Sequence, residues 1–259
     1  MKNTKKVKLL CGGVLLVLGV VLVCLFRGKA LAEGATGGQT IPFALGLILA
    51  LAGIVVAVVA LIPRAHQPVK VRTLSMAALF AALCYIGFTY CKIDIPVGAE
   101  KTAFHLGNVF CVLAALFIGG FWGGMSGAIG MTIADLTTAY VTSAPKTFLL
   151  KLCIGLITGF VAHKVFHLSG DDTERKVKLP VATALSCVAG MVFNVVADPV
   201  VGYFYKLYIL GVPQEAANIW AKIGAVTTSV NAVVAVIAAT VLYLAMRPAL
   251  KKSKLLPQL

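Results

Sequence analysis

Residues 127–151 read GAIGMTIADLTTAYVTSAPKTFLLK. Two apolar runs flank a short polar segment, and each run carries one ionisable side chain, Asp135 or Lys151. The runs are typical of helices, and the polar segment at 142–145 is short enough for a tight turn. The sequence therefore predicts two antiparallel neighbouring helices that place an acid and a base at similar depth.

The rest of the chain has the same apolar character. It contains 259 residues, of which 60% are hydrophobic and 12% charged, with a mean hydropathy of +0.97. Soluble globular proteins do not have this composition, so we predict an all-α protein that crosses a membrane several times. A crossing helix needs about 20 mostly apolar residues. Eight segments approach this length: 9–26, 41–62, 73–91, 105–118, 121–141, 148–166, 179–205 and 223–246.

The formal net charge is +14, and its distribution predicts the orientation. If the amino terminus is cytoplasmic, the basic clusters at 2–8, 64–72, 164–178 and 247–254 all lie on the cytoplasmic side. This is the expected excess of positive charge inside, so both termini are predicted to be cytoplasmic. The basic excess is expected to contact lipid headgroups, and no nucleic-acid partner is expected because no basic domain stands clear of the membrane.

The polar, proline-containing linker at 64–72 divides the chain. We predict an amino-terminal two-helix transmembrane hairpin (1–63), a six-helix membrane domain (73–246) and a basic cytoplasmic tail (247–259). The first span is expected to be retained rather than cleaved as a signal peptide, because Arg27 and Lys29 interrupt its end. The outer loop Lys92–Phe104 is predicted to be a mobile lid.

The sequence gives little support for catalysis. Residues 124–127, GMSG, match the GxSG of rhomboid-like intramembrane proteases, but that mechanism needs a histidine on a nearby helix. The only histidine at comparable depth is His163, and it lies with Ser126 at the cytoplasmic end. The seven cysteines form no CxxC pair. We therefore expect no enzyme activity, metal site or cofactor.

Polar side chains inside apolar runs point to a pocket. A charge or amide at membrane depth is costly unless it faces a partner or a watery cavity. The predicted spans place these groups in the outer half of the membrane, which suggests a pocket open to the outside. Asp135 and Lys151 are equally consistent with an ion pair between helices and with ligand contact. The candidate substrate-binding residues are His105, Asn108, Asp135, Tyr140, Lys151, Asn194, Asp198, Trp220 and Asn231.

Three stretches resemble the substrate-binding S component of energy-coupling-factor (ECF) vitamin transporters, in its riboflavin-type branch. They are TLSMAALFAALCYIG (73–87), KTAFHLGNVFCVLAALFIGGFWGG (101–124) and residues 127–151. The resemblance implies a six-helix bundle that captures a vitamin or precursor, such as riboflavin, pyridoxine or hydroxymethylpyrimidine, from outside a bacterial plasma membrane. It also implies partners, namely one membrane coupling subunit and two ATPase subunits.

The resemblance further implies a docking surface for the coupling subunit on the first helix of the bundle. Ala77 and Ala81, like Ala78 and Ala82, are four residues apart, and such small residues let another helix approach closely in lipid. The extra amino-terminal hairpin departs from the usual six-helix pattern. Two alternatives stay open: a stand-alone proton-coupled carrier that uses Asp135 and Asp198, and a rhomboid-like hydrolase.

Overall fold

The computed structural model describes residues 2–30, seven positions between 42 and 56, and residues 71–97, 100–169 and 177–253. Helices dominate this part of the chain, which confirms the predicted all-α class. We number the long α-helices in chain order. They are α1 Lys2–Ala30, α2 Val71–Thr89, α3 Gly107–Ile118, α4 Gly120–Thr137, α5 Ala144–Phe160, α6 Leu179–Phe204 and α7 Gln214–Lys252.

Short irregular helices extend two of these elements. One π-helical turn, Val161–Val165, continues α5, and another, Tyr205–Leu210, continues α6. A 3₁₀ turn, Val141–Ser143, leads into α5. Among the described residues, four helical segments are long and apolar enough to cross a membrane, and Leu10–Phe26 and α3 are shorter apolar helices. The chain is therefore a multi-span membrane protein. The four segments are Val71–Thr89, Val141–Val165, Leu179–Leu210 and Gln214–Lys252.

Helix α3 lies at the centre of the bundle. Every residue of α3 except Phe110 is buried, and the helix contacts α2, α4, α5 and α7. Because protein surrounds it, its length does not have to match the thickness of the bilayer. This explains why the apolar run is short. The predicted start of this span at His105 is wrong, since His105 ends a β-strand and the helix begins at Gly107.

Glycines set the spacing between α4 and α5. A Cβ atom on Gly155 would collide with the backbone of Gly124, and one on Gly159 would collide with the backbone of Gly120. Lipid supplies no hydrophobic force between helices, so such close backbone packing is a main source of their association. The chain enters α4 through Gly119, whose φ of 83° lies in the left-handed region that favours glycine.

The segment predicted to be a mobile lid forms an antiparallel β-hairpin, and its mobility stays a prediction. Strand β1 (Lys92–Val97) pairs with β2 (Glu100–His105), from the pair Lys92 and His105 to the pair Val97 and Glu100. The hairpin contacts α7 and α2, so it covers one end of the bundle. Regular strand pairing replaces the loop because the backbone groups of each strand bond to the other.

Helix α1 packs against the bundle and against the described positions between 42 and 56. Side chains added at Gly19 would collide with Ala50, and side chains added at Gly53 would collide with Leu16. The later residue of α1, Gly19, thus lies near Ala50, and the earlier one, Leu16, lies near Gly53. The two segments run in opposite directions at these positions. Val23 of α1 is buried against Leu210 at the end of the second π-helical turn. Most of the second predicted span and the linker at 64–70 lie outside the described residues.

Candidate functional site

A cavity of about 310 Å³ opens beneath the β-hairpin. Its walls come from β2, α3, α4, α5, α6, α7 and the turn before α5. This volume lies at the lower end of the range found for small-molecule sites. The structure brings all nine predicted substrate-binding residues to this one cavity: His105, Asn108, Asp135, Tyr140, Lys151, Asn194, Asp198, Trp220 and Asn231.

The junction of β2 and α3 supplies two of these groups. Asn108, in the first turn of α3, is 1% exposed, and the ring of His105 lies 4.6 Å from the ring of Phe88. Within the described part of the chain, His105 Nδ1 and Asn108 Oδ1 have no hydrogen-bond partner. Buried polar atoms are normally bonded, so these two atoms are suited to a ligand or to water in the cavity.

Asp198 is the centre of a polar cluster that joins three helices. Its Oδ1 accepts a hydrogen bond from Lys146 Nζ of α5 at 2.8 Å, and its Oδ2 accepts one from Thr228 Oγ1 of α7 at 2.9 Å. A side chain on Gly202 would lie 3.4 Å from the same Lys146 nitrogen, so glycine leaves room for the ammonium group. The cluster holds α5, α6 and α7 together at the cavity wall.

The ion pair considered between Asp135 and Lys151 does not form. Both side chains are buried, at 2% and 7% exposure, but the structure has no nitrogen–oxygen contact within 4 Å between these two described residues. Asp135 accepts a hydrogen bond from Thr147, and its Oδ2 has no partner among the described residues. Lys146 is the base that pairs, and it does so with Asp198. The sequence interpretation is therefore corrected: similar depth did not make Asp135 and Lys151 partners.

Asn194 and Asn231 both line the cavity, but they differ in their hydrogen bonds. Asn194 is 1% exposed, and its Oδ1 has no partner among the described residues. Asn231 uses both ends of its amide on the hairpin. Its Oδ1 accepts from the backbone N–H of His105, and its Nδ2 donates to the backbone oxygen of Ala103, both at 3.0 Å. Asn194 is thus available to a ligand, whereas Asn231 fastens the hairpin to α7.

Aromatic side chains close the outer rim. The Tyr140 hydroxyl donates to Asp94 Oδ1 at 3.0 Å, and Lys92 Nζ lies 5.0 Å from the centre of the Tyr140 ring. Partial burial, followed by the hydrogen bond to Asp94, raises the pKa of Tyr140 above its ordinary value, so the hydroxyl stays a donor. On the opposite rim, Lys206 Nζ lies 4.3 Å above the ring of Trp220. On each side, an aromatic side chain at the rim of the cavity thus contacts a charged side chain.

Several cavity residues were not predicted from the sequence. None of the following five residues was among the candidates, yet all of them line the cavity: Lys101, Lys146, Lys206, Thr147 and Thr228. These lysines lie near the ends of apolar runs, where a charge is unremarkable in sequence. The one available signal was the position of Lys146 next to Pro145 in the turn between two spans.

The four alanines predicted to dock a coupling subunit face two directions. Ala77 is 8% exposed, and its backbone oxygen accepts a hydrogen bond from Ser126 of α4 at 2.9 Å. A side chain on Gly130 would collide with the backbone oxygen of Ala81. Ala78 and Ala82 are exposed. The expectation is therefore corrected for Ala77 and Ala81, which face α4, while Ala78 and Ala82 remain accessible to a partner.

The GxSG serine has no catalytic arrangement around it. Ser126 Oγ bonds the backbone oxygens of Ala77 and Trp122. His163 Nε2 bonds the backbone oxygen of Ala115, and its Nδ1 contacts Ser169 Oγ. Both groups are thus engaged at the end of the bundle away from the cavity. Among the described residues, no three His, Cys, Asp or Glu side chains are grouped as they would be to hold a metal ion.

A comparison with protein families matches residues 68–248 to the family described as ECF-type riboflavin transporter, S component. No curated protein and no solved structure matched the chain. The family match covers more than half of the 259 residues and includes α2 to α7 with the hairpin. The chain belongs to the S-component family of ECF-type riboflavin transporters.

Proposed function

We propose that this chain captures a vitamin or vitamin precursor from outside a bacterial plasma membrane and delivers it for ATP-driven uptake. S components are the substrate-binding subunits of ECF transporters, and the family is a transporter family rather than an enzyme family. The candidate solutes are riboflavin, pyridoxine or a hydroxymethylpyrimidine-like compound. The chain itself is expected to have no enzyme activity.

The observation that carries this proposal is the set of unsatisfied polar atoms around one cavity. His105 Nδ1, Asn108 Oδ1, Asp135 Oδ2 and Asn194 Oδ1 are buried and lack partners within the described residues. All four residues line the same space of about 310 Å³. Leaving buried polar atoms unpaired costs about 1–3 kcal/mol each, and a polar solute would offset that cost.

The orientation follows from charge. Lys164 near the end of α5, Lys178 before α6 and Lys251 at the end of α7 lie at the end of the bundle opposite to the cavity. If positive charge is cytoplasmic, as is usual, the cavity opens outward and both termini are inside. The hairpin is then placed to cover a solute that enters from outside.

Energy for uptake would come from partners. We propose that a membrane coupling subunit docks on the exposed pair Ala78 and Ala82 of α2, and that two ATPase subunits bind to it. Small exposed residues on a helix allow close contact with another helix in the bilayer. The lipid bilayer is the remaining partner, and no nucleic acid is expected.

The test is to purify the full chain in detergent and identify the copurifying small molecule by mass spectrometry. We expect a vitamin-sized compound at one molecule per chain. Vesicles that contain the chain alone should then show no concentrative uptake of that compound, while vesicles with the coupling subunit and ATPases should accumulate it when ATP is supplied. Uptake by the chain alone in a proton gradient would support the proton-coupled carrier instead. The absence of any bound or transported solute would contradict the proposal.

A further inference from the structure

The charged side chains that line the cavity are mostly basic. They comprise four lysines, Lys101, Lys146, Lys151 and Lys206, and two aspartates, Asp135 and Asp198. Of the proposed solutes, riboflavin and hydroxymethylpyrimidine carry no anionic group at neutral pH that would balance this excess. In a site of low dielectric, unbalanced charge is a strong constraint on what binds.

The lysines are not equivalent. Lys146 is paired with Asp198 at 2.8 Å, and Lys206 lies over the ring of Trp220. Lys101 is exposed on the hairpin. Lys151 differs from all three, because it is 93% buried inside α5 and its ammonium group has no hydrogen bond or ion pair with any described residue. Its backbone oxygen accepts from the Cys111 thiol, but that contact leaves the ammonium group free.

A buried ammonium group with no carboxylate within 4 Å is costly, and more so at membrane depth. Asp135 does not pair with Lys151, and Asp198 already accepts bonds from Lys146 and Thr228. The protein thus supplies no carboxylate contact for Lys151 from the residues that line the cavity. An anionic oxygen on the solute would supply one, and would reach it through the same cavity.

We propose that the solute of this S component carries an anionic group, a phosphate or a carboxylate, which binds the ammonium group of Lys151. The remaining polar atoms of the solute would face Asn108, Asn194 and Asp135. This inference rests on the proposed function, because it assumes that the cavity is the solute site. It excludes riboflavin itself as the preferred solute, since riboflavin has no ionised group at neutral pH.

The test compares solutes that differ only in one phosphate. The purified full chain is titrated with riboflavin and riboflavin 5′-phosphate, pyridoxine and pyridoxine 5′-phosphate, and hydroxymethylpyrimidine and its phosphate. We expect at least one phosphorylated form to bind about tenfold or more tightly than its neutral parent. Alternatively, the copurifying compound identified by mass spectrometry should carry a carboxylate. The two outcomes distinguish the two kinds of anion.

Variants of Lys151 connect the preference to this residue. Lys151→Met should reduce affinity for the anionic solute about tenfold or more, and Lys151→Arg should retain most of it. Lys222→Met is the matched control, because Lys222 is exposed on α7 and does not line the cavity. If Lys151→Met does not fold, the comparison of solutes on the unaltered chain still decides.

Two results would overturn the inference in different ways. Tight binding of a neutral solute, with no gain in affinity from a phosphate or carboxylate, would leave the proposed function intact. It would show that the solute needs no anionic group. Failure to detect any solute, either copurified or added, would remove the proposed function and this inference together.

Discussion

At the scale of single residues, the carboxylate of Asp198 connects three helices of the bundle. It lies on α6 and accepts hydrogen bonds from Lys146 on α5 and Thr228 on α7. The side chains of the ion pair are only 24% exposed for Asp198 and 16% for Lys146. A partly buried pair of this kind is weakened strongly when one partner is lost, because the other charge remains without compensation.

We therefore expect Asp198→Asn to lower the free energy of unfolding by about 2 kcal/mol, between the values for surface and fully buried pairs. Solute affinity should fall as well, since the cavity wall loses its fixed geometry. Thermal unfolding in detergent and a solute titration measure the two effects. Glu215→Gln is the matched control, because Glu215 is exposed in the first turn of α7 and does not line the cavity, so a change of about 0.5 kcal/mol or less is expected. An equal loss in both variants would show that the Asp198 cluster has no special role.

Residue identity in the sequence revealed which polar groups matter but not how they pair. Asp135, Lys151 and Asn194 stand out because each interrupts an apolar run. Pairing also depends on the direction in which each side chain leaves its helix, and the close glycine packing of Gly124 on Gly155 sets that direction. Similar depth in the membrane does not determine the direction in which a side chain leaves its helix. For this reason the sequence left ion pairing and ligand contact open for Asp135 and Lys151, and it did not reveal the role of Lys146.

At the scale of elements, the β-hairpin forms part of the cavity wall and covers one end of the bundle. It is attached to α7 through Asn231, which bonds the backbone on both sides of Phe104. It is attached to the turn before α5 through Tyr140 and Asp94. The rest of β1 is solvent-exposed or half-buried up to Val97. A strand pair with so few anchors depends heavily on each one.

Asn231→Leu should therefore release the hairpin while leaving the helices intact. The substitution keeps the approximate size of the side chain and removes both hydrogen bonds. We expect amide hydrogen exchange at residues 100–105 to become about tenfold faster. This change corresponds to a loss of about 1.4 kcal/mol of local stability. Solute affinity should fall in parallel.

Ser229→Ala is the control for this variant. Ser229 lies on the same helix and bonds only the oxygen of Ala225 within it, so exchange in the hairpin should not change. Unchanged exchange in Asn231→Leu as well would show that Asn231 does not hold the hairpin.

The helices could be predicted from the sequence better than the hairpin could. Apolar runs of helical length exist before any tertiary contact forms, and the predicted bundle agrees with α2 to α7. The segment KIDIPVGAEKTAF contains Pro96 and several charges and has no such run. Its strands depend on pairing with each other and on Asn231, which is more than 120 residues away in sequence. The local sequence pattern therefore does not predict the contact between Asn231 and the hairpin.

At the scale of the whole molecule, the two ends of the bundle have different tasks. The cavity, the hairpin and the carboxyl-terminal end of α1 lie at one end, where Val23 packs on Leu210. Ser126 and the basic residues Lys164 and Lys251 lie at the other end. We propose that a partner bound to the bundle acts on the cavity through movement of whole helices. Helix α2 is suited to transmit it, because one face packs on α4 while the opposite face is exposed.

The exposed face of α2 gives a final prediction about assembly. Ala78→Trp and Ala82→Trp should prevent copurification of the coupling subunit and ATPases, because a large side chain blocks close approach between helices. Solute binding by the chain alone should be unchanged, since neither alanine lines the cavity. Val233→Trp on α7 is the control, as Val233 is 60% exposed on another helix. Ala77→Trp should instead disrupt the fold, because Ala77 is buried against α4. If the complex survives both exposed substitutions, the coupling subunit docks on a different surface.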